Sequence, residues 1–131
     1  MSLVFLSLGS NLGDRLENLK SAVEKLRSRL SFVSCSSVWE TAPVDCPSGS
    51  GAFLNAVCSF ECAMEPVELL RFTKEIEKTL GRKEKLVLNE PRPIDIDILS
   101  MGNVETSSEE LTIPHPRMKE RLCYANKFFL I

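Results

Sequence analysis

Asp95 and Asp97 stand two residues apart in the run Glu90-Pro91-Arg92-Pro93-Ile94-Asp95-Ile96-Asp97-Ile98-Leu99, where aspartate alternates with isoleucine. A β-strand sends successive side chains to opposite faces, so Ile94, Ile96 and Ile98 point one way and the two carboxylates the other. At the usual rise per residue the two aspartate Cα atoms would lie roughly 7 Å apart. Carboxylates so spaced can share one or two Mg²⁺ ions, the hard cations that accompany nucleotide phosphates. Arg92 brings a guanidinium to the same place. Alternation alone also describes an ordinary half-buried strand with a wet outer face. The rest of the chain has to decide between the two.

The 131 residues are 44% hydrophobic and 26% charged, with a formal charge of −2. That profile fits one soluble domain over 1–131, large enough to bury its own core. The overall charge gives no reason to expect nucleic acid. Two local basic clusters are more telling: Arg82, Lys83, Lys85 and Arg92 against Glu84 and Glu90, then Arg117, Lys119 and Arg121 against Glu120. They suit a phosphate-bearing small molecule better than a polymer. Five cysteines without a C-x-x-C pair, and a single histidine, argue against zinc. Cys58 and Cys62 would share one strand face as small core residues. Reduced thiols, no export signal and no apolar run of membrane-spanning length point to the cytoplasm, with no membrane partner. A monomer is compatible with all of this.

The elements that must position Asp95 and Asp97 can be read from periodicity and punctuation. Leu3–Leu8 is a buried strand, and Gly9-Ser10-Asn11-Leu12-Gly13 a structural turn, lacking the G-K-[ST] ending of a phosphate loop. Asp14, with Glu17 three residues on, caps a helix carrying Leu16, Leu19, Ala22, Val23, Leu26 and Leu30 at helical spacing. Phe32–Trp39 is a second strand, Glu40–Ala52 a loop, and Phe53–Cys62 a third strand able to pair antiparallel with the second. Pro66 starts a second helix that Gly81 ends. A basic loop from Arg82 to Pro93 leads into the aspartate strand, and Met101-Gly102-Asn103 turns the chain. The order predicts an α+β, ferredoxin-like βαββαβ antiparallel sheet with both helices on one face and long ligand-binding loops. The isoleucines must then lie under the helices and the aspartates on the open face. Phe128-Phe129-Leu130-Ile131 reads as a last edge strand.

Gly9-Ser10-Asn11-Leu12-Gly13-Asp14, Glu40-Thr41-Ala42-Pro43, Phe53-Leu54-Asn55-Ala56, Pro91 to Leu99, and Pro114-His115-Pro116-Arg117 occur in this order along nearly the whole chain. Together they resemble the 6-hydroxymethyl-7,8-dihydropterin pyrophosphokinase family of folate biosynthesis. The resemblance implies an ATP-dependent diphosphotransferase that moves pyrophosphate from ATP to the pterin hydroxymethyl oxygen, releasing AMP. It implies two Mg²⁺ ions with ATP, held by Asp95 and Asp97, with Asp95 also meeting the pterin and assisting proton removal. Arg82 and Arg92 would neutralise phosphates. Glu77, Lys85, Ile98, Thr112, His115 and Arg121 would contact ATP. Thr41, Ala42 and Val44 would face the pterin, with Asn55 pairing its amide edge and Phe53 stacking on it.

The chain departs from the family's pattern at Asn89-Glu90, where Trp-Gly is usual. It departs again at Cys123, where an aromatic is usual; Tyr124 is adjacent, but one step along a strand would turn it to the other face. It also ends at Ile131, short of the terminal segment most relatives carry. Two other readings stay open at this point. One is a two-metal phosphodiesterase or nucleotidyl transferase on the same kind of sheet; the other is a relative that binds nucleotide without turnover.

Overall fold

The apolar run at the start forms the strand β1 (Ser2–Ser10), buried from Leu6 through Ser10 because strands flank it on both edges. The computed structural model describes residues 1–42, 51–81 and 93–126. Gly13, at φ 71°, closes the turn after β1, and Asp14 accepts from the Glu17 backbone N–H at 3.1 Å to cap α1 (Arg15–Arg27). Such a cap contributes about 1 kcal/mol. Then follow β2 (Ser31–Cys35), β3 (Trp39–Thr41) and β4 (Phe53–Cys62). Pro66 opens α2 (Pro66–Thr79), and Gly81, at φ 101°, lets the chain turn away after it. The aspartate strand is β5 (Asp95–Met101); a small hairpin, β6 (Thr106–Ser107) and β7 (Thr112–Ile113), and the helix α3 (Met118–Asn126) come after it.

The main sheet runs β2-β4-β1-β5, antiparallel throughout, with β3 continuing alongside β4. This is an α+β architecture compatible with the ferredoxin-like fold, although the element order is richer than a bare βαββαβ. Ile94, Ile96 and Ile98 are 0%, 6% and 4% exposed and pack with Leu6, Leu8, Phe60, Leu26, Leu69 and Ile76 beneath α1 and α2. Asp95 and Asp97 are half-buried on the opposite face. The demand made of the isoleucine–aspartate alternation is met.

Three expectations change. The second strand is two short ones, because Ser36 interrupts it: its hydroxyl takes the Val57 N–H at 3.0 Å and donates to the Ser37 carbonyl at 2.9 Å. A serine side chain that offers the backbone such an alternative breaks a ladder readily. Second, the open face is not bare. The segment after Pro116 forms α3, and Met118 and Leu122 pack on Trp39, Val57 and Leu99. Nine residues with two apolar contacts one turn apart are too few to betray a helical period. A helical backbone also replaces the strand assumed for residues 123–124. Third, two of the cysteines pair across the sheet. Cys35 and Cys58 are direct partners across β2 and β4 and are joined as a disulfide. Cys62 remains a buried thiol whose pKa burial raises. Cys58 and Cys62 do share the core-facing side of β4. The edge strand expected at 128–131 lies outside the described residues. No helix among those described is long and apolar enough to cross a membrane.

Candidate active site

The register of the central strands sets the site out along the open face. On β1, Gly9 pairs with Asp95 and Ser7 with Asp97. On the other side of β1, Gly9 pairs with Asn55 and Ser7 with Val57. Ser7 is 1% exposed, and its hydroxyl accepts from the Arg121 guanidinium of α3 at 2.8 Å. Arg121 therefore stands over the strand position next to Asp97, with one of its five donors spent on Ser7.

Beside Asp97 lies a cavity of about 240 Å³. Its walls come from α2 (Leu70, Lys74), β5 (Ile96, Asp97, Ile98), the hairpin (Ser108 to Thr112) and the turn at His115 and Pro116. Of the residues expected to meet ATP, it brings together Ile98, Thr112 and His115. Ile98 is both core and cavity wall, since it fills the isoleucine layer and still borders the opening. His115 is pinned beside β5 by its own N–H, which donates to the Leu99 carbonyl at 2.8 Å. Its Nδ1 accepts from the Arg117 N–H at 3.0 Å. In the neutral ring that bond leaves the proton on Nε2, so the imidazole is a donor through that nitrogen.

Glu77 does not line the cavity. It is 5% exposed and accepts from the Ile96 backbone N–H at 2.8 Å, supporting β5 from below. Its carboxylate therefore faces the strand and not water. Removing that acceptor would leave a buried N–H unsatisfied, at a cost of about 1–3 kcal/mol.

At the other end of the open face, Asn55 is 6% exposed. Its Nδ2 is turned inward, with the Trp39 carbonyl at 3.2 Å, Thr41 Oγ1 at 3.0 Å and the Phe53 carbonyl at 3.3 Å. Its amine side thus holds β3 and β4 together. A Cβ on Gly9 would lie 3.3 Å from the Phe53 ring and 3.5 Å from Asn55 Oδ1. Glycine there is what lets the ring lie close over β1. Phe53 pairs with Thr41, so Thr41, Ala42, Phe53 and Asn55 gather on one rim. The Gly9–Gly13 turn is structural: Asn18 Nδ2 binds Leu12 O at 2.9 Å and Ser10 Oγ at 3.2 Å.

Val44, Arg82, Lys85, Asn89, Glu90 and Arg92 lie outside the described residues, as do the side chains of Cys123 and Tyr124. Sequence reasoning missed Ser7, Leu70 and Lys74. Ser7 was visible as the hydroxyl inside an apolar strand, and Leu70 and Lys74 lie on α2 at the four-residue spacing of one helix face, with Glu77 three further on. Among the described residues, no group of three or more His, Cys, Asp or Glu could hold a metal alone. Two half-buried carboxylates on one strand face, with Asp97 bordering the cavity, do suit Mg²⁺, which takes one or two protein carboxylates and completes its shell from phosphates and water.

A family model described as 7,8-dihydro-6-hydroxymethylpterin-pyrophosphokinase matches residues 5–129. A Porphyromonas gingivalis protein named 2-amino-4-hydroxy-6-hydroxymethyldihydropteridine pyrophosphokinase is 42% identical over 125 residues, covering 92% of this chain and 84% of its own length. A Bacillus subtilis protein of the same name is 37% identical over 123 residues, with coverage of 92% and 72%. The mitochondrial folate synthesis bifunctional protein of Pisum sativum is 41% identical over 119 residues, 90% of this chain. The chain spans only 23% of that pea protein's length.

Proposed function

The chain belongs to the 7,8-dihydro-6-hydroxymethylpterin-pyrophosphokinase family, and from that premise we propose that it transfers the β,γ-pyrophosphoryl group of ATP to the hydroxymethyl oxygen of 6-hydroxymethyl-7,8-dihydropterin, giving AMP and the pterin diphosphate. The observation that carries the proposal is the placement of Asp95 and Asp97 between two differently built ends. Asp97 borders the cavity of about 240 Å³. Asp95 pairs with Gly9, against which Phe53 and Asn55 lie. Two substrates bound at those ends would meet at the carboxylates.

The apolar walls at Leu70, Ile96, Ile98 and Leu111 suit the adenine and ribose, with Thr112 and Lys74 at polar edges. His115 donates from Nε2 to a phosphate oxygen, and Arg121, steadied by Ser7, neutralises the charge that builds on the transferred group. Phe53 stacks on the pterin ring while Asn55 Oδ1 accepts from its amide edge. Asp95 takes the hydroxymethyl proton onto a carboxylate oxygen. Asp95 and Asp97 would hold the Mg²⁺, which when bound supplies charge neutralisation for the phosphates and a template for in-line attack. Arg82, Lys85, Arg92 and Val44 enter this scheme through the family resemblance alone.

The test is an incubation of purified protein with ATP, Mg²⁺ and the dihydropterin, with nucleotides resolved afterwards. AMP formed only when the pterin is present, without ADP, is the expected result. Formation of ADP, or hydrolysis indifferent to the pterin, would overturn the assignment; ATP binding without AMP would mark a relative without turnover. A finer check is His115→Ala, which should weaken ATP binding about tenfold by removing one donor to a charged group. Pterin binding at the far rim should hold. Equal losses for both ligands would remove His115 from the phosphate site.

A further inference from the structure

Arg15 is the first residue of α1, and nothing in the proposed chemistry uses it. Its Nη1 nonetheless lies 2.7 Å from Glu40 Oε2 and 2.8 Å from the Ala52 carbonyl oxygen. Glu40 is the middle residue of β3, and Ala52 immediately precedes Phe53, the first residue of β4. These strands are in register there, Glu40 with Leu54 and Thr41 with Phe53. Asn11, four residues before Arg15, adds a third tie by donating to the Gly51 carbonyl at 3.3 Å. The stretch from Asn11 to Arg15 thus ties the rim of the sheet at Glu40, Gly51 and Ala52.

We propose that Arg15 is a positioning residue for the pterin: it clasps β3 to the start of β4 and so sets where Thr41, Phe53 and Asn55 stand. The inference rests on reading that rim as the pterin site. An ion pair whose side chains are 33% and 56% exposed contributes little to folding by itself. The clasp differs because the same nitrogen also holds a backbone carbonyl one residue from the stacking ring. Without it, β3 and the start of β4 are held by their three paired positions and the Asn55 amide. That is enough to fold but leaves the rim to be ordered by the ligand, and ordering on binding weakens affinity. None of Arg15, Glu40 and Ala52 lines the cavity beside Asp97, so the effect should stop short of ATP.

The variants are Arg15→Met, which keeps the apolar stem, Arg15→Lys and Glu40→Gln. Each is read by steady-state kinetics in both substrates, by the Kd for ATP and by Tm. Arg15→Met should raise the pterin KM on the order of tenfold, as expected for a lost charged hydrogen bond, with kcat, ATP affinity and Tm nearly unchanged. Arg15→Lys should restore most of the loss, since one ammonium can serve both oxygens. Glu40→Gln should fall between, because the Ala52 bond survives. An unmoved pterin KM in Arg15→Met overturns the clasp. So does a joint loss of ATP affinity and Tm, or a lysine variant no better than methionine. Wild-type protein that releases no pterin-dependent AMP overturns the pyrophosphokinase reading and the clasp with it; wild-type turnover with an indifferent Arg15→Met overturns the clasp alone.

Discussion

Asp97→Asn is expected to lower kcat by about a hundredfold to a thousandfold, the loss typical when a group stabilising transition-state charge is removed, while Tm moves by no more than about 3 °C. The substitution keeps the shape of the side chain and removes one negative charge. The core packing is carried beneath it by Ile96 and Ile98, while Asp97 is half-buried on the open face. The proposed reaction, by contrast, would depend on that charge heavily. With only two carboxylates available on β5, and no larger donor cluster among the described residues, Mg²⁺ affinity falls once one becomes an amide. The measurement is kcat against Mg²⁺ concentration together with a thermal melt. Retained turnover would remove Asp97 from the metal site. Asp95→Asn should differ in kind: it pairs with Gly9 at the Asn55 end and does not border the cavity, so its loss should fall more on the pterin than on ATP.

The second large effect is expected at Asn55. Asn55→Ala should weaken pterin binding about a hundredfold or more and lower stability by about 1–3 kcal/mol, because two different groups are orphaned. The ligand loses the Oδ1 acceptor. The protein loses the Nδ2 donors that bridge the Trp39 carbonyl, Thr41 Oγ1 and the Phe53 carbonyl at a nearly closed position. Equilibrium titration with pterin and a denaturant melt separate the two losses. ATP affinity should be unchanged, since the cavity near Asp97 shares no wall with Asn55. A variant that keeps its pterin affinity would leave Asn55 as a strand fastener only.

Much of the framework was legible in the residues because it is written locally. Asp14 with Glu17, Pro66 with Gly81, and the unbroken run Phe53–Cys62 each carry their own start and stop, and the elements formed where those markers stand. Where a break depended on a distant partner, the reading failed. Ser36 looks like any strand serine until Val57 lies opposite, and the Cys35–Cys58 pairing needs the β2–β4 register to exist first. The helix α3 was missed for a related reason: its two packing residues have meaning only against Trp39, Val57 and Leu99 on the sheet.

The alternation of isoleucine and aspartate from Ile94 to Ile98 determined by itself which side chains face the core and which the open face, since a strand has a period of two whatever surrounds it. Tertiary structure alone decided what those aspartates look at. Arg121 and Ser7 are 114 residues apart, Arg15 and Ala52 are 37 apart, and each pair meets through geometry that no local pattern encodes. Periodicity reports the direction of a side chain; only the packing of strands and helices brings a donor to it.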